Sequence, residues 1–244
     1  MNLAGLRVWI TRPADAAKTS ALRWAATGAS PLVEPLVELV DVEPTPESVA
    51  AFSTLAEPWT LMLTSPRAAE SFVRWSLAFA DTPRPTAVCA IGPATADAAT
   101  RAGFAVTQVA GRATAKNLAD EIEGPGPVVY PASSARIGDA AEALAAGGRR
   151  VLELTLYGPQ GRRLTPSRWS ELVGSCDLVA LYAPSAAVAL ADGIGERRRD
   201  VVCAALGPTT HAAAIALGLE IAVTASDPGE SHLIDAARVW WAAR

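Results

Sequence analysis

The sequence predicts an α/β fold built from two similar parallel-sheet domains, and three features lead to it. Short β-branched or apolar runs alternate with alanine-rich stretches of helical length, the order of these segments occurs twice, and several runs end at a turn where proline opens the next helix. Repeated strand-then-helix order is the pattern of parallel strands covered on both faces. The 244 residues exceed one typical domain and suit two small ones. Half of the residues are apolar and 19% are charged, a composition that buries a core rather than staying disordered.

The elements follow in order. "LRVWIT" from Leu6 reads as a strand and "PADAAKTSALRWAATG" as its helix. "SPLVEPLVELVDVEPTP" from Ser30 is long, β-rich and closed by prolines. "WTLMLTS" from Trp59 leads into "PRAAESFVRWSLAFA", and "AVCAIG" from Ala87 into "PATADAATRAG". A second round begins with "GPVVYPA" from Gly126 and the extended "VLELTLYGPQGRRLTP" from Val151. It continues with "DLVALYA" from Asp177 and "VVCAALG" from Val201, each followed by a helical stretch.

The two rounds match in detail. "AIGPATADAATRAGF" from Ala90 reappears 115 residues later as "ALGPTTHAAAIALGL" from Ala205. "RVWITRPADAAKTSALRWAATGASPLVEPLV" from Arg7 aligns at an offset of 120 with "PVVYPASSARIGDAAEALAAGGRRVLELTLY" from Pro127, placing Val37 on Tyr157. "LTSPRAA" from Leu63 matches "LYAPSAA" from Leu181 at an offset of 118. Three unit types therefore run A, B, C, A, B, C, an internal duplication. The long stretch after each A unit suits a strand crossing between two bodies, and equally a further strand of a sheet.

Composition narrows the functions. Cys89, Cys176 and Cys203 form no CxxC pair and their odd number suits reduced thiols in a cytoplasm, with Cys89 and Cys203 packed in strands. His211 and His232 have no chelating spacing with Cys or carboxylates, so no metal or other cofactor is expected. A net charge of −4 offers no general basic field for nucleic acid. The apolar runs are strand-sized, and the N-terminal residues lack the pattern of an export signal, so no membrane partner is expected. GxSxG, Walker and GxGxxG patterns are missing, which points to a site that binds and positions a reactive substrate.

Five junctions share one design: Arg12-Pro13, Ser65-Pro66, Gly92-Pro93, Ala183-Pro184 and Gly207-Pro208. Proline at the first helical position loses nothing, because its N–H would lack an intrahelical partner anyway. The following amides, of Ala94 and Thr95 and of Thr209 and Thr210, are then expected to point outward beside the threonine hydroxyls. With the positive end of the helix dipole, each turn can cradle a carboxylate or phosphate for roughly 0.3 to 1 kcal/mol. Ligands of open parallel sheets bind beyond the carboxyl ends of the strands. Arg12, Arg67, Arg112 and Arg136 lie near such ends and can add charge-assisted bonds. The alternative is that Ser65, Thr95 and Thr210 only cap helices and the arginines are solvated.

These stretches resemble the uroporphyrinogen-III synthase family of tetrapyrrole biosynthesis. The resemblance rests on "ITRP" at Ile10, "LTSPRAAESF" at Leu63, "AIGPATADAATRAGF" at Ala90 and "KNLADEI" at Lys116. It continues through "GGRRVLELTLY" at Gly147, "LVALYAPSAAVAL" at Leu178 and "ALGPTTHAAAIALGL" at Ala205. It implies two α/β domains joined by a two-stranded antiparallel linker, with the active site in the interdomain cleft. One domain would hold residues 1–35 and 161–244, the other 41–153, with 36–40 and 154–160 as the crossing strands.

The activity implied is cyclisation of hydroxymethylbilane, a linear tetrapyrrole with eight carboxylates, to uroporphyrinogen III with inversion of ring D and loss of water. The implied enzyme is a cytoplasmic monomer that needs no cofactor. Its catalytic tyrosine falls on Tyr157, placed to assist departure of the hydroxyl. Its binding hydroxyls match Ser65, Thr95, Ser185, Thr209 and Thr210, with Arg12, Arg67 and Arg136 as basic partners of the substrate. The chain departs from the family pattern at Pro131–Arg136, where Arg136 is the sole basic residue, and at Ala183, where a hydroxyl commonly precedes Pro-Ser. The alternative is a non-catalytic sensor of tetrapyrroles or other polycarboxylates built on the same fold.

Overall fold

A computed structural model of the protein describes residues 2–55, 58–136, 140–227 and 229–244. The first elements are β1 (Arg7–Ile10), α1 (Ala14–Ala25), β2 (Ser30–Val33), β3 (Val37–Asp41) and α2 (Pro46–Ser53). Next come β4 (Thr60–Leu63), α3 (Pro66–Ser76), β5 (Ala87–Ala90), α4 (Pro93–Arg101), β6 (Gln108–Val109) and α5 (Ala115–Glu121). The second round holds β7 (Val128–Ser133), α6 (Ala140–Ala146), β8 (Val151–Gly161), α7 (Pro166–Ser175), β9 (Leu178–Leu181) and α8 (Pro184–Ile194). After a 3-10 turn come β10 (Val202–Ala205), α9 (Pro208–Ala216), β11 (Glu220–Thr224) and α10 (Glu230–Ala242).

The chain divides into two compact units. The first is Met1–Leu39 with Gln160–Arg244, and the second is Val40–Pro159. In the first, five strands form one sheet in the order β11-β10-β9-β1-β2, every neighbouring pair parallel. The second carries a six-stranded sheet in the order β3-β8-β7-β4-β5-β6, parallel from β8 through β6. β3 runs against β8: the Val42 N–H donates to the Leu156 carbonyl at 2.8 Å and the Arg162 N–H to the Leu36 carbonyl at 2.9 Å, so one numbering falls as the other rises. The chain passes from one unit to the other within these two strands, between Leu39 and Val40 and between Pro159 and Gln160.

The duplication is exchanged between the sheets. β1 and β2, from the first A unit, lie beside β9 of the second copy, while β7 and β8 of the second A unit lie beside β4 of the first. With the A-unit strands numbered first and β3 set aside, both sheets have the order 2-1-3-4-5. In that order the winding reverses between the first and third strands and opens a crevice at their carboxyl ends. The reversal falls between β1 and β9 in the first unit and between β7 and β4 in the second.

Side chains alternate across each sheet with the two-residue period of a strand. Trp9, Val179, Leu181 and Cys203 face a core with Trp169, Leu172 and Leu190, while Val8, Ile10, Leu178 and Ala180 face another with Trp24, Leu233 and Ile234. In the second unit Leu61, Leu63, Val88 and Val129 meet Phe52 and Phe72, and Met62, Cys89, Val128 and Tyr130 meet Leu118 and Leu144. Because both faces are covered, these strands read as nearly continuous apolar runs. Cys89 and Cys203 are buried as expected, and burial pushes the Cys203 thiol up to about 12. Among the described residues, no helix is long and apolar enough to cross a membrane.

One packing contact yields a direct test. A Cβ added at Gly193 on α8 would run into the ring of Trp169 on α7, which is itself buried. Helix propensity favours alanine by about 1 kcal/mol, but forcing a methyl into a rigid ring costs about 1–3 kcal/mol, and the ring cannot swing away from its core. Gly193→Ala is expected to destabilise the protein by about 1 kcal/mol net, read as a lower urea midpoint at unchanged slope.

Candidate active site

Four of the five anticipated corners form as expected, with Pro66, Pro93, Pro184 and Pro208 each at the start of its helix. The fifth differs. Pro13 is the N-cap of α1, with φ −50° and ψ 148°, and its carbonyl accepts the N–H groups of Ala16 and Ala17 at 3.0 Å. Its extended ψ keeps it outside the helix, so α1 opens one residue later than the proline. Two further corners went unread in the sequence. Thr45 and Thr165, each followed by proline, cap α2 and α7 by accepting the amides of Ser48 at 3.3 Å and Arg168 at 3.2 Å.

The cradle expected at Thr95 is also altered. The Thr95 N–H donates to the Gly92 carbonyl at 3.1 Å, and the Ala96 N–H donates to it at 3.0 Å. This i→i+3 bond tightens the first turn of α4 and occupies one of the two amides expected to be open. Thr95 and Thr210 sit in the first turns of α4 and α9 and are 2% and 3% exposed, so little of either reaches solvent. Thr209 is exposed beside Thr210, and Ser185 is half-buried in the first turn of α8.

In the second unit the strand ends bring Tyr157 and Ser65 together. Tyr157 lies on β8 in the same apolar cluster as Leu63 and Phe72, and its hydroxyl is 2.8 Å from Ser65 Oγ. Ser65 caps α3, with its Oγ accepting the Ala68 N–H at 3.0 Å. It is therefore both a cap and a partner of the phenol. Burial pushes the Tyr157 phenol above its ordinary range, an effect the Ser65 hydrogen bond partly offsets. The group accordingly stays protonated throughout the neutral range and can donate a proton or hydrogen bond.

Two arginines follow β4 and β7 of the same sheet. Arg67, two residues beyond Ser65, reaches Asp41 of β3 at 3.0 Å and Glu70 at 3.9 Å. Asp41 also accepts bonds from Ser71 at 2.8 Å and Arg74 at 2.8 and 3.0 Å, and the Arg74 bond leads in holding its carboxyl below the usual range. Arg136 follows β7 and pairs with Glu153 of β8 at 2.8 Å. Both arginines stand near strand ends with a carboxylate already beside them, so each cation is screened rather than bare.

In the first unit, Arg12 follows β1 and Tyr182 follows β9, on either side of the reversal point. The Arg12 Cζ lies 4.7 Å from the centroid of the Tyr182 ring, and its Nη1 is 3.2 Å from Ser20 Oγ and 3.8 Å from Glu230 Oε2. The Tyr182 hydroxyl donates to Glu230 Oε1 at 2.6 Å and accepts from Trp24 Nε1 at 3.0 Å. Arg23 completes the group, 3.0 Å from Glu230 Oε2. Burial works against ionisation of Glu230, but hydrogen bonds from Tyr182, Ser20 and Arg23 and the charge of Arg12 bring its carboxyl below the usual range. Burial and then the Glu230 carboxylate drive the Tyr182 phenol upward.

Tyr182, Glu230 and Asp41 were not singled out from the sequence. Tyr182 does occupy a strand end, a signal that would have found it; Glu230 and Asp41 belong to no recognisable spacing. Among the described residues, no three His, Cys, Asp or Glu side chains are placed to hold a metal ion.

A model of the family described as uroporphyrinogen-III synthase HemD matches residues 18–235. Solved structures similar to the chain include a uroporphyrinogen-III synthetase from Helicobacter pylori, at 17% identity and a TM-score of 0.61 over 98% of this chain and 99% of that one. Another is a mutant uroporphyrinogen III synthase from Thermus thermophilus, at 20% identity and a TM-score of 0.54 over 98% of this chain and all of that one. At these identities the likeness is one of fold. No curated protein matches the chain.

Proposed function

Because the chain belongs to the uroporphyrinogen-III synthase family, we propose that it closes hydroxymethylbilane to uroporphyrinogen III, with inversion of ring D and loss of water, in haem biosynthesis. The observation that carries this reading is the buried Tyr157 hydroxyl, paired with Ser65 Oγ at 2.8 Å beside the carboxyl end of β4. The hydroxyl of the substrate's terminal hydroxymethyl group leaves as water once its oxygen is protonated, and the carbon it leaves becomes the electrophilic exocyclic methylene of an azafulvene. No protein nucleophile is needed. A neutral phenol that donates to the departing oxygen suits this step, and the raised pKa of Tyr157 keeps it neutral.

What remains is positioning. The substituted carbon of ring D must attack the azafulvene carbon to give a spiro intermediate, whose older bond to the ring C methylene then breaks and re-forms at the free α-carbon of ring D with loss of its proton. Holding the rings in that geometry lowers the entropic barrier relative to the unrearranged closure. Eight carboxylates supply the handles. Arg12, Ser185, Thr209 and Thr210 of the first unit, and Ser65, Arg67, Thr95 and Arg136 of the second, are the groups at strand ends that take them. Substrate handled this way calls for no cofactor, and we place the enzyme in the cytoplasm as a monomer.

A coupled assay tests the reading. Hydroxymethylbilane is generated in situ, the protein is added, the products are oxidised, and isomers I and III are resolved. Isomer III should rise in proportion to protein. Isomer I alone at every protein concentration would refute the assignment.

A further inference from the structure

We propose that Glu230 and Tyr182 are positioning residues that hold Arg12 as the carboxylate receptor of the first unit, an inference that rests on the polycarboxylate substrate proposed above. Three observations meet at this point. Arg12 and Tyr182 stand at the ends of β1 and β9, the strands flanking the reversal of the sheet, where ligands of this architecture bind. The guanidinium lies over the phenol ring at 4.7 Å, and the phenol is fixed in turn from both sides, donating to Glu230 and accepting from Trp24. Glu230 is a carboxylate whose side chain is 3% exposed and which the proposed chemistry does not use.

The charges explain the design. One buried carboxylate faces two arginines, so the group keeps a positive excess at its solvent side, where Arg12 is 30% and Arg23 58% exposed. Both polar contacts of Arg12 use Nη1. A guanidinium has five N–H donors, so donors remain for a substrate carboxylate. A pinned arginine has already lost the rotamer freedom that a loose one gives up on binding. The competing account is that Glu230 only ties α10 to α1.

The test uses the full-length chain with Glu230→Gln and Tyr182→Phe, each alone and combined with Arg12→Ala. The readouts are steady-state turnover of hydroxymethylbilane and binding of uroporphyrin I, a stable octacarboxylate porphyrin, by tryptophan quenching. Each single variant is expected to raise KM and the uroporphyrin Kd about fivefold to tenfold with kcat within about twofold. In the Arg12→Ala background neither should add anything. Unchanged KM and Kd, or an equal effect with and without Arg12, would overturn the proposal in favour of a structural tie. Should Glu230→Gln fail to fold, Tyr182→Phe, which keeps the ring under Arg12, decides the matter with an expected effect of at least about fivefold. A parent protein that binds uroporphyrin I without forming isomer III would refute the catalytic reading alone, leaving Kd to judge Arg12. A parent that does neither would bring down both.

Discussion

Tyr157→Phe is expected to lower kcat about 100-fold while leaving KM within about threefold, the signature of a group used in the transition state rather than in binding. Phenylalanine fills the same place among Leu63, Phe72 and Leu156, so the packing survives and only the hydroxyl is lost. A general acid contributes about 100-fold to 10,000-fold, whereas a simple hydrogen bond between neutral groups is worth about tenfold. The size of the loss therefore distinguishes proton donation from mere orientation. Burial raises the Tyr157 pKa, so the active, protonated form is favoured below that value and is lost only as pH climbs through it. The kcat profile should accordingly show no falling limb from this residue below about pH 10, the ordinary tyrosine value. A limb near neutrality that vanishes in Tyr157→Phe, or equal turnover of variant and parent, would remove the phenol from the proposed step.

The legible part of the fold was the part that repeats locally. Runs such as Thr60–Leu63 and Leu178–Leu181 are buried at every position because both sheet faces are covered, and their nearly unbroken apolar character marks them as parallel strands. The proline corners were visible for the same reason, as they need only neighbouring residues. Pairing between copies was hidden in the residues themselves and was expected only through the family resemblance. β4 and β9 have equivalent patterns, and a repeat cannot say which of them β1 joins, since either would bury the same faces. Ser65 was legible from its proline corner and Tyr157 only through the family resemblance, while Asp41 and Glu230 were not reached at all. Glu230 meets Arg23 across 207 positions and Tyr182 across 48, and Asp41 meets Arg67 across 26, separations that leave no motif. The Thr95 amide was misjudged because a short first-turn bond depends on helix geometry rather than residue type.

A fragment of residues 40–159 is expected to fold alone, whereas residues 1–120, one complete copy of the duplication, are not. The first fragment corresponds to one compact unit and retains β4 through β7 and most of β8 with both apolar clusters of that sheet, including Phe52, Phe72, Met62 and Leu144. Its length of about 120 residues lies within the range of independent domains. The second fragment keeps β1 and β2 but loses β9, to which β1 pairs through Val8, Trp9 and Ile10, and it keeps β4 but loses β7, to which β4 pairs through Thr60 and Leu61. Each half-sheet then exposes an open central edge and strands such as Val8–Ile10 that are fully buried in the intact chain. Far-ultraviolet circular dichroism with urea titration separates the cases: a single cooperative transition for 40–159, and a broad or aggregating profile for 1–120. Cooperative folding of 1–120 would mean that each copy closes its own sheet, and the exchange of A units between the copies would be wrong.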